Sequence, residues 1–88
     1  MARPSFQLDI VSPEQQLYSG RVVSLTAPGV RGGFGVRARH APMVAAIGAG
    51  QLTYTEAESG QTSSLAVGGG VVQVIPGSVT VLAEITPP

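Results

Sequence analysis

The 88-residue sequence contains no cysteine, no lysine and no asparagine. The absence of cysteine excludes a disulfide framework and a thiolate metal site. The absence of lysine excludes P-loop and Schiff-base chemistry, because both depend on a lysine amine. The absence of asparagine excludes an N-glycan acceptor and an Asn-Gly hairpin turn.

Charge is also scarce in this chain. Only 11% of the residues are charged, the net charge is zero, and 43% of the residues are hydrophobic. This composition is globular, and it lacks both the charge-rich character of disordered chains and the basic excess of a nucleic-acid binder. A surface so poor in charge is typical of a subunit that buries faces against partners. We predict a single domain over residues 1–88, with no nucleic-acid partner.

Long hydrophobic runs are missing as well. The most apolar stretch, residues 41–50, is far shorter than the roughly 20 residues that a membrane-spanning helix needs. The first nine residues contain no apolar run typical of a signal peptide. We therefore expect a soluble chain inside the cell, without direct membrane insertion.

Valine is abundant, and 12 glycines and 7 prolines punctuate the chain every few residues. Strands tolerate such punctuation, whereas helices need longer uninterrupted runs. Apolar and polar residues alternate, so that Phe6, Leu8 and Ile10 share one face. The pattern predicts an all-β fold: a flattened β-sandwich or barrel of two antiparallel sheets, with about eight to ten short strands.

Glycine positions mark the expected strand ends. Breaks at residues 19–20 and 48–50 are predicted to end strands, and residues 68–70 are predicted to form a sharp bend or bulge. Pro76 and Gly77 predict a turn in which the glycine has positive φ. The pairs Val22–Val23 and Val71–Val72 place apolar side chains on both faces of their strands, which indicates that something covers the outer face.

One segment resembles a dinucleotide fingerprint. Residues 33–38 match the pattern G-x-G-x-x-A, and Glu56 follows about twenty residues later. That fingerprint requires a helix N-terminus to hold the pyrophosphate, but Pro42 forces Ala41 into an extended conformation and no helix can run there. The remaining alternative of this kind is a small β-domain that binds a phosphate-bearing ligand through this Gly-rich loop.

Three of the five basic residues, Arg31, Arg37 and Arg39, lie close together in the sequence. If the segment is extended, Arg37 and Arg39 project from the same face and could bind a carboxylate or a phosphate. They could equally form a solvated edge that discourages strand aggregation. Three arginines are too few for nucleic acid, so the better functional reading is a carboxylate on a protein partner.

The only histidine, His40, has no nearby nucleophile and no second metal ligand. We predict that it fixes the corner before Pro42 through a backbone hydrogen bond. The carboxylates are scattered, and Glu56 and Glu58 flank a hairpin turn, where solvation is the simplest explanation. The sequence therefore predicts a non-catalytic binding or structural subunit, without a metal or cofactor site.

Four segments together carry a family resemblance. They are FQLDIVSPEQQLYSG (residues 6–20), GGFGVRARHAP (32–42), GAGQLTY (48–54) and GGGVVQVIPGSVTVLAE (68–84). In this order, and over nearly the whole chain, they resemble the N-terminal β-sandwich domain of the epsilon subunit of rotary F-type ATP synthases. The mitochondrial counterpart of that subunit, called delta, shares the fold.

The resemblance implies a central-stalk (rotor) subunit without catalytic residues or cofactors. Such a subunit binds the gamma subunit and the ring of c subunits, and it couples proton or ion flow to ATP synthesis. In a bacterium it is expected at the periphery of the plasma membrane, on the cytoplasmic face. The implied c-ring contacts are Gly29, Val30, Arg31, Gly32, Gly33 and Phe34. The implied gamma contacts are Arg39, His40, Ala41, Pro42, Met43, Ala45, Gly68, Gly69 and Gly70.

The chain departs from the family pattern in two places. Many relatives have a glutamate where this chain has Gly33, and Tyr-Pro-Gly-like residues where it has residues 37–39, so the loop is more basic here. Relatives usually continue into a C-terminal helical hairpin that can inhibit ATP hydrolysis. This sequence ends at Pro88, so the inhibitory function is expected to be absent.

Overall fold

In the computed structural model, residues 4–85 are described, and they form β-strands and no helix. Alternating apolar residues drive this outcome, because each strand buries one face and exposes the other. The predicted all-β fold is confirmed. The six strands are β1 (Phe6–Val11), β2 (Gln16–Ala27), β3 (Phe34–Arg37), β4 (Met43–Glu56), β5 (Thr62–Ile75) and β6 (Ser78–Ile85).

The strands form one continuous sheet in the order β1-β6-β5-β4-β2-β3, and an additional β1–β2 pairing closes it into a flattened barrel. Most neighbours are antiparallel, but β1 and β6 are parallel. The sandwich prediction is confirmed, whereas the expectation of two purely antiparallel sheets is corrected. Sequence alternation specifies which face of a strand is buried but not which strand pairs with it, so the parallel pairing left no signal in the sequence.

The strand count is six rather than eight to ten, because glycines bend strands without ending them. Residues 48–50 lie inside β4, residues 68–70 lie inside β5, and Gly20 lies inside β2. The first half of β4 pairs with the second half of β5, and the last residues of β4 pair with β2. Each 14-residue strand thereby passes from one layer of the sandwich to the other.

The bend at residues 68–70 is also a bulge, as predicted. The register of β5 against β6 shifts between Val67 and Gly69. Gly69 has φ 132° and Gly70 has φ 153°. At Gly70 a Cβ atom would collide with the carbonyl oxygen of Leu82 on the neighbouring strand. Only glycine combines that backbone conformation with so close an approach of β6.

The core lies between the two layers, and in residues 4–85 it contains no buried polar side chain. The shared face that the sequence predicts for Phe6, Leu8 and Ile10 is the buried face of β1. Val22 and Val23 are both buried, because the register of β2 against β4 shifts between Val22 and Ser24. Nothing outside the chain is needed to cover that pair. The largest fully buried side chains are Leu8, Ile10, Leu25, Leu52, Val22, Val36, Val67, Val72, Val79 and Val81.

Candidate functional site

The loop of residues 28–33, between β2 and β3, is tied to the glycine bend of β4. The amide of Val30 donates to the Ala46 carbonyl at 3.2 Å, and the amide of Gly48 donates to the Pro28 carbonyl at 2.7 Å. Gly29 also forms an isolated bridge with Ile47. The base of the loop is therefore fixed by backbone hydrogen bonds, as buried backbone groups require.

The tip of this loop is open to solvent. The amide of Gly32 donates to the Gly29 carbonyl at 3.0 Å and closes a tight turn. A Cβ atom on Gly29 would lie only 2.5 Å from the Gly32 oxygen and 2.9 Å from the Phe34 ring, so glycine is required there. Val30 is 65% exposed, and Arg31 and the two following glycines are exposed as well. Five of the residues predicted as c-ring contacts, residues 29–33, therefore lie in one projecting loop, whereas Phe34 begins β3 and packs against the core.

Residues 37–40 form a turn rather than the extended segment that the sequence suggested. β3 ends at Arg37, and the amide of His40 donates back to the Arg37 carbonyl at 3.2 Å. Arg39 has φ 69°, in the left-handed region that favours glycine. Arg37 and Arg39 are thus separated by a reversal of the chain. The expectation that both project from the same face of an extended segment is wrong.

His40 has the structural role that the sequence predicts. Its Nδ1–H donates to the Ala41 carbonyl at 2.7 Å and so fixes the corner before Pro42. His40 lines a surface cleft in which, among residues 4–85, Ser5 carries the only hydroxyl. The Ser5 Oγ accepts hydrogen bonds from Nε and Nη2 of Arg21 at 3.3 and 3.1 Å. The Ser5 hydroxyl is therefore hydrogen-bonded to Arg21 and not to His40, the base that would have to activate it as a nucleophile.

The predicted gamma contacts fall into two groups. Residues 39–42 immediately precede β4 and line a cleft of about 620 Å³. Residues 68–70 pair with the middle of β4, next to the loop of residues 28–33. Pro42 and Ile47 are five residues apart, which corresponds to about 17 Å along a strand. The structure therefore places the glycine triplet beside the predicted c-ring loop, away from His40.

Met43 and Ala45 point towards the inside of the sandwich. Met43 packs against the core, and Ala45 is half-buried. The outward side chains of this half of β4 are Val44, which is 71% exposed, and Ala46. All of these residues are apolar, so the sequence offered no contrast between the two faces.

An apolar row crosses the outer face of the sandwich. The register aligns Ala46 on β4, Val71 on β5, Leu82 on β6 and Val11 on β1. Val30 extends the row, because its amide bonds to Ala46. Val71 is 39% exposed and Leu82 is 55% exposed. We call these five residues the apolar row. The sequence indicated only its Val71 position, because the cross-strand register that assembles the row is not readable from the sequence.

The residues of the G-x-G-x-x-A pattern do not form a phosphate cradle. Residues 34–37 are strand β3 and pair with residues 24–27 of β2, so their backbone groups take part in a ladder. A turn, and not a helix, follows them. Phosphate cradles need free amides at a helix N-terminus or a nest. This geometry removes the physical basis of the fingerprint.

A polar cluster lies on the other layer. The Tyr18 hydroxyl donates to Glu56 Oε2 at 3.3 Å, and the Ser59 hydroxyl donates to Glu56 Oε1 at 3.1 Å. Partial burial, followed by the nearby charge and hydrogen bond of Glu56, raises the pKa of Tyr18 above its usual 10.0. Glu56 therefore caps the β4–β5 turn and is not paired with Glu58. Within the described residues, no three His, Asp or Glu side chains form a group that could hold a metal ion.

The fold and its exposed surfaces define a small β-sandwich domain with an uncovered apolar row and a projecting glycine-rich loop. A family model described as "ATP synthase, Delta/Epsilon chain, beta-sandwich domain" matches residues 5–86. The chain belongs to this delta/epsilon family of ATP synthase subunits. The resemblance found in the sequence is thereby confirmed.

Curated relatives named "ATP synthase epsilon chain" support the assignment. The chain is 49% identical over 77 residues to the protein of Anaeromyxobacter sp. strain K, covering 88% of this chain and 57% of the relative. It is 46% identical over 81 residues to the protein of Rhodopseudomonas palustris strain BisB18, covering 92% and 58%. The chain thus spans a little under three fifths of the length of these relatives.

Solved structures show the same fold. A chain of the Euglena gracilis mitochondrial ATP synthase, from a cryo-EM structure that includes the c-ring, matches with a TM-score of 0.84 and 25% identity. The match covers 99% of this chain and 56% of that one. A chain from the central stalk and c-ring of the Tetrahymena thermophila enzyme matches with a TM-score of 0.76, 11% identity, and coverage of 96% and 66%. The Tetrahymena likeness shows the fold alone.

No helix in the described part of the chain is long and apolar enough to cross a membrane.

Proposed function

We propose that this chain is a non-catalytic rotor subunit of an F-type ATP synthase. It binds the gamma subunit and the c ring, and it couples ion flow to ATP synthesis without doing chemistry itself. Family membership and the likeness to a chain of the Euglena enzyme support this role. The chain would sit at the periphery of an energy-coupling membrane, on the cytoplasmic face in a bacterium.

The observation that carries the proposal is the apolar row. Its five members lie on neighbouring strands and one loop, so the row is about 19 Å long at the usual strand spacing. A standard interface buries about 800 Å² on each partner, and this chain exposes 5274 Å² in total. Such an interface would cover roughly one sixth of the surface, and the row, about 19 Å long, would lie within it. We assign the four members of the row that lie on strands, Ala46, Val71, Leu82 and Val11, to the gamma interface.

The loop of residues 28–33 is the proposed c-ring contact. Its base is anchored to β4, and its exposed tip carries Val30 and Arg31. An anchored base with an exposed tip positions a contact without a large loss of loop entropy on binding. The loop adjoins the apolar row at Ala46, so a single face could bridge gamma and the c ring.

The test is the affinity of the chain for the gamma subunit of the same organism, measured by calorimetry. Val71 and Leu82 are 39% and 55% exposed, so covering them on binding is worth about 1 kcal/mol each. We expect the double variant Val71→Gln with Leu82→Gln to bind gamma about 30-fold more weakly. Its fold should be retained, because both side chains point into solvent.

The matched control is Ala66→Gln. Ala66 is exposed on the half of β5 that pairs with the second half of β4, in the layer that contains β2. An apolar-to-polar change there should leave the affinity for gamma unchanged. Equal affinity for the double variant and the wild type would remove the row from the interface. Failure of the wild-type chain to bind gamma would remove the proposed function.

A further inference from the structure

A second surface feature, besides the apolar row, is the cleft beside the turn of residues 37–40. Arg39 occupies the third position of this turn with φ 69°. A side chain at that φ is strained, and such strain persists only where the surrounding structure fixes it. The hydrogen bond from the His40 amide to the Arg37 carbonyl and the bond from the His40 ring to Ala41 fix this corner. The turn therefore holds a charged residue in a position that glycine would occupy at less cost.

The cleft gathers positive charge. Its volume is about 620 Å³, and Arg21, Arg39 and His40 line it together with Ser5. The guanidinium of Arg21 is held in place, because Nη2 donates to the Ser5 carbonyl at 2.9 Å and Nε and Nη2 donate to the Ser5 hydroxyl. Hydrogen bonds thus hold the Arg21 guanidinium, and the turn fixes the backbone from which the Arg39 side chain projects.

Among the described residues 4–85, no carboxylate lines this cleft. Glu56 and Glu58 line a second groove that Arg21 also lines. Arg39 does not line that groove, so it is the arginine of the cleft that we expect to be the main partner of an anion.

Rigid apolar residues form much of the remaining wall. They include Pro4, Pro42 and Pro76. These prolines and both arginines are exposed, so the cleft is open and a bound anion would meet the arginines near the protein surface. A cleft with this composition favours an anionic group over a neutral one.

We infer that the cleft receives an acidic side chain of the gamma subunit, with Arg39 as its main partner; this inference rests on the proposed function. Arginine binds a carboxylate through two parallel hydrogen bonds, which suits a single inserted side chain. The cleft is also near the apolar row, because Pro42 precedes Ala46 of the row by four residues, about 13 Å along a strand, and the exposed Val44 lies between them. Arginine also binds phosphate, but the His40 amide of this turn, which a phosphate could use as a further donor, is already bonded.

Calorimetry with gamma and three variants tests the inference. Arg39→Gln removes the charge and keeps a side chain at the strained φ, so we expect about tenfold weaker binding and unchanged stability. Arg39→Gly should weaken binding equally but raise the thermal midpoint by about 2–5 °C, because it relieves the strain. Arg37→Gln is the control: Arg37 is exposed and lies two residues away, but it does not line the cleft, so its loss should leave the affinity for gamma unchanged.

Salt gives an independent readout. The wild-type affinity for gamma should fall as salt is raised, and Arg39→Gln should lose part of that dependence. If Arg39→Gln binds gamma as the wild type does at every salt concentration, the inference is overturned and the proposed function stands. If the wild type does not bind gamma, both are overturned.

A thermal-shift titration with inorganic phosphate tests whether the cleft binds free phosphate instead of an acidic side chain. We expect no shift of the wild-type midpoint at millimolar phosphate. A shift that disappears in Arg39→Gln would show that the cleft is a free-phosphate site, and would overturn its assignment to a side chain of gamma.

Discussion

The substitution of Gly70 by alanine tests how the sandwich turns its corner. Gly70 lies in β5 with φ 153°, and an added Cβ would collide with the Leu82 carbonyl oxygen and lie 2.8 Å from the Ala83 Cα. Both atoms belong to the backbone of β6, which cannot rotate away as a side chain would. Ala83 is buried in the core, so a shift of β6 also disturbs packing.

Gly69→Ala provides the matched comparison. Gly69 has φ 132°, but its Cβ would meet only the Ile47 carbonyl oxygen, at an ordinary 3.5 Å. The backbone conformation alone costs about 1–3 kcal/mol for a residue with a side chain. The lower entropy of the unfolded alanine chain offsets about 0.4–1 kcal/mol of this cost. We expect Gly69→Ala to lower the free energy of unfolding by about 1–2 kcal/mol.

Gly70→Ala has the same backbone cost and adds the collision. Moving β6 breaks or stretches one or two hydrogen bonds, at about 1 kcal/mol each, and loosens the core around Ala83. We expect a total loss of about 3–5 kcal/mol, so the two variants should differ by roughly 2–3 kcal/mol. Urea denaturation followed by circular dichroism measures this difference as a separation of about 1–2 M between midpoints. Equal midpoints would refute the close approach of β5 and β6.

Two further predictions concern the core and the tyrosine cluster. Leu25→Ala should lower the free energy of unfolding by about 2–5 kcal/mol, because Leu25 is 1% exposed. Leu82→Ala should change it by less than about 0.5 kcal/mol, and urea denaturation of both variants checks this contrast. The raised pKa of Tyr18 means that its contribution to stability is complete below pH 10.0 and is lost as pH rises through its folded pKa. Glu56→Gln should lower that pKa in a spectrophotometric titration, because the charge of Glu56 contributes to raising it.

The sequence predicted those parts of the fold where apolar and polar residues alternate. Phe6, Leu8 and Ile10 were predicted to share one face of a strand, and all three are buried. The turn at Pro76 and Gly77 was also predictable, and Gly77 has φ 78°. In each case a local pattern of two to four residues specifies the local structure.

Non-local pairing was not predictable. The parallel contact of β1 with β6 joins strands that are about seventy residues apart in sequence, and the apolar row exists only because four strands align. Glycine was ambiguous for a physical reason: it permits a turn, a bulge or a bend, and the sequence does not distinguish them. Residues 48–50 therefore suggested a strand end where the chain only bends.

The turn at Arg39 was missed for a different reason. Positive φ is usually occupied by glycine or asparagine, so an arginine gives no signal of a turn. The extended conformation was the default for this segment, and it implied that Arg37 and Arg39 share a face. The chain reverses instead, and it places Arg39 and His40 beside one cleft.

The most direct test of the proposed role is ATP synthesis by an enzyme that lacks its epsilon subunit. The ATP synthase of the same organism would be assembled without that subunit in liposomes, energised with an ion gradient, and supplied with this chain. We expect the chain to restore gradient-driven ATP synthesis, and the Val71→Gln, Leu82→Gln double variant to restore it only at much higher concentration. Binding of the chain to gamma and the c ring without any rise in ATP synthesis would contradict its assignment as a coupling subunit.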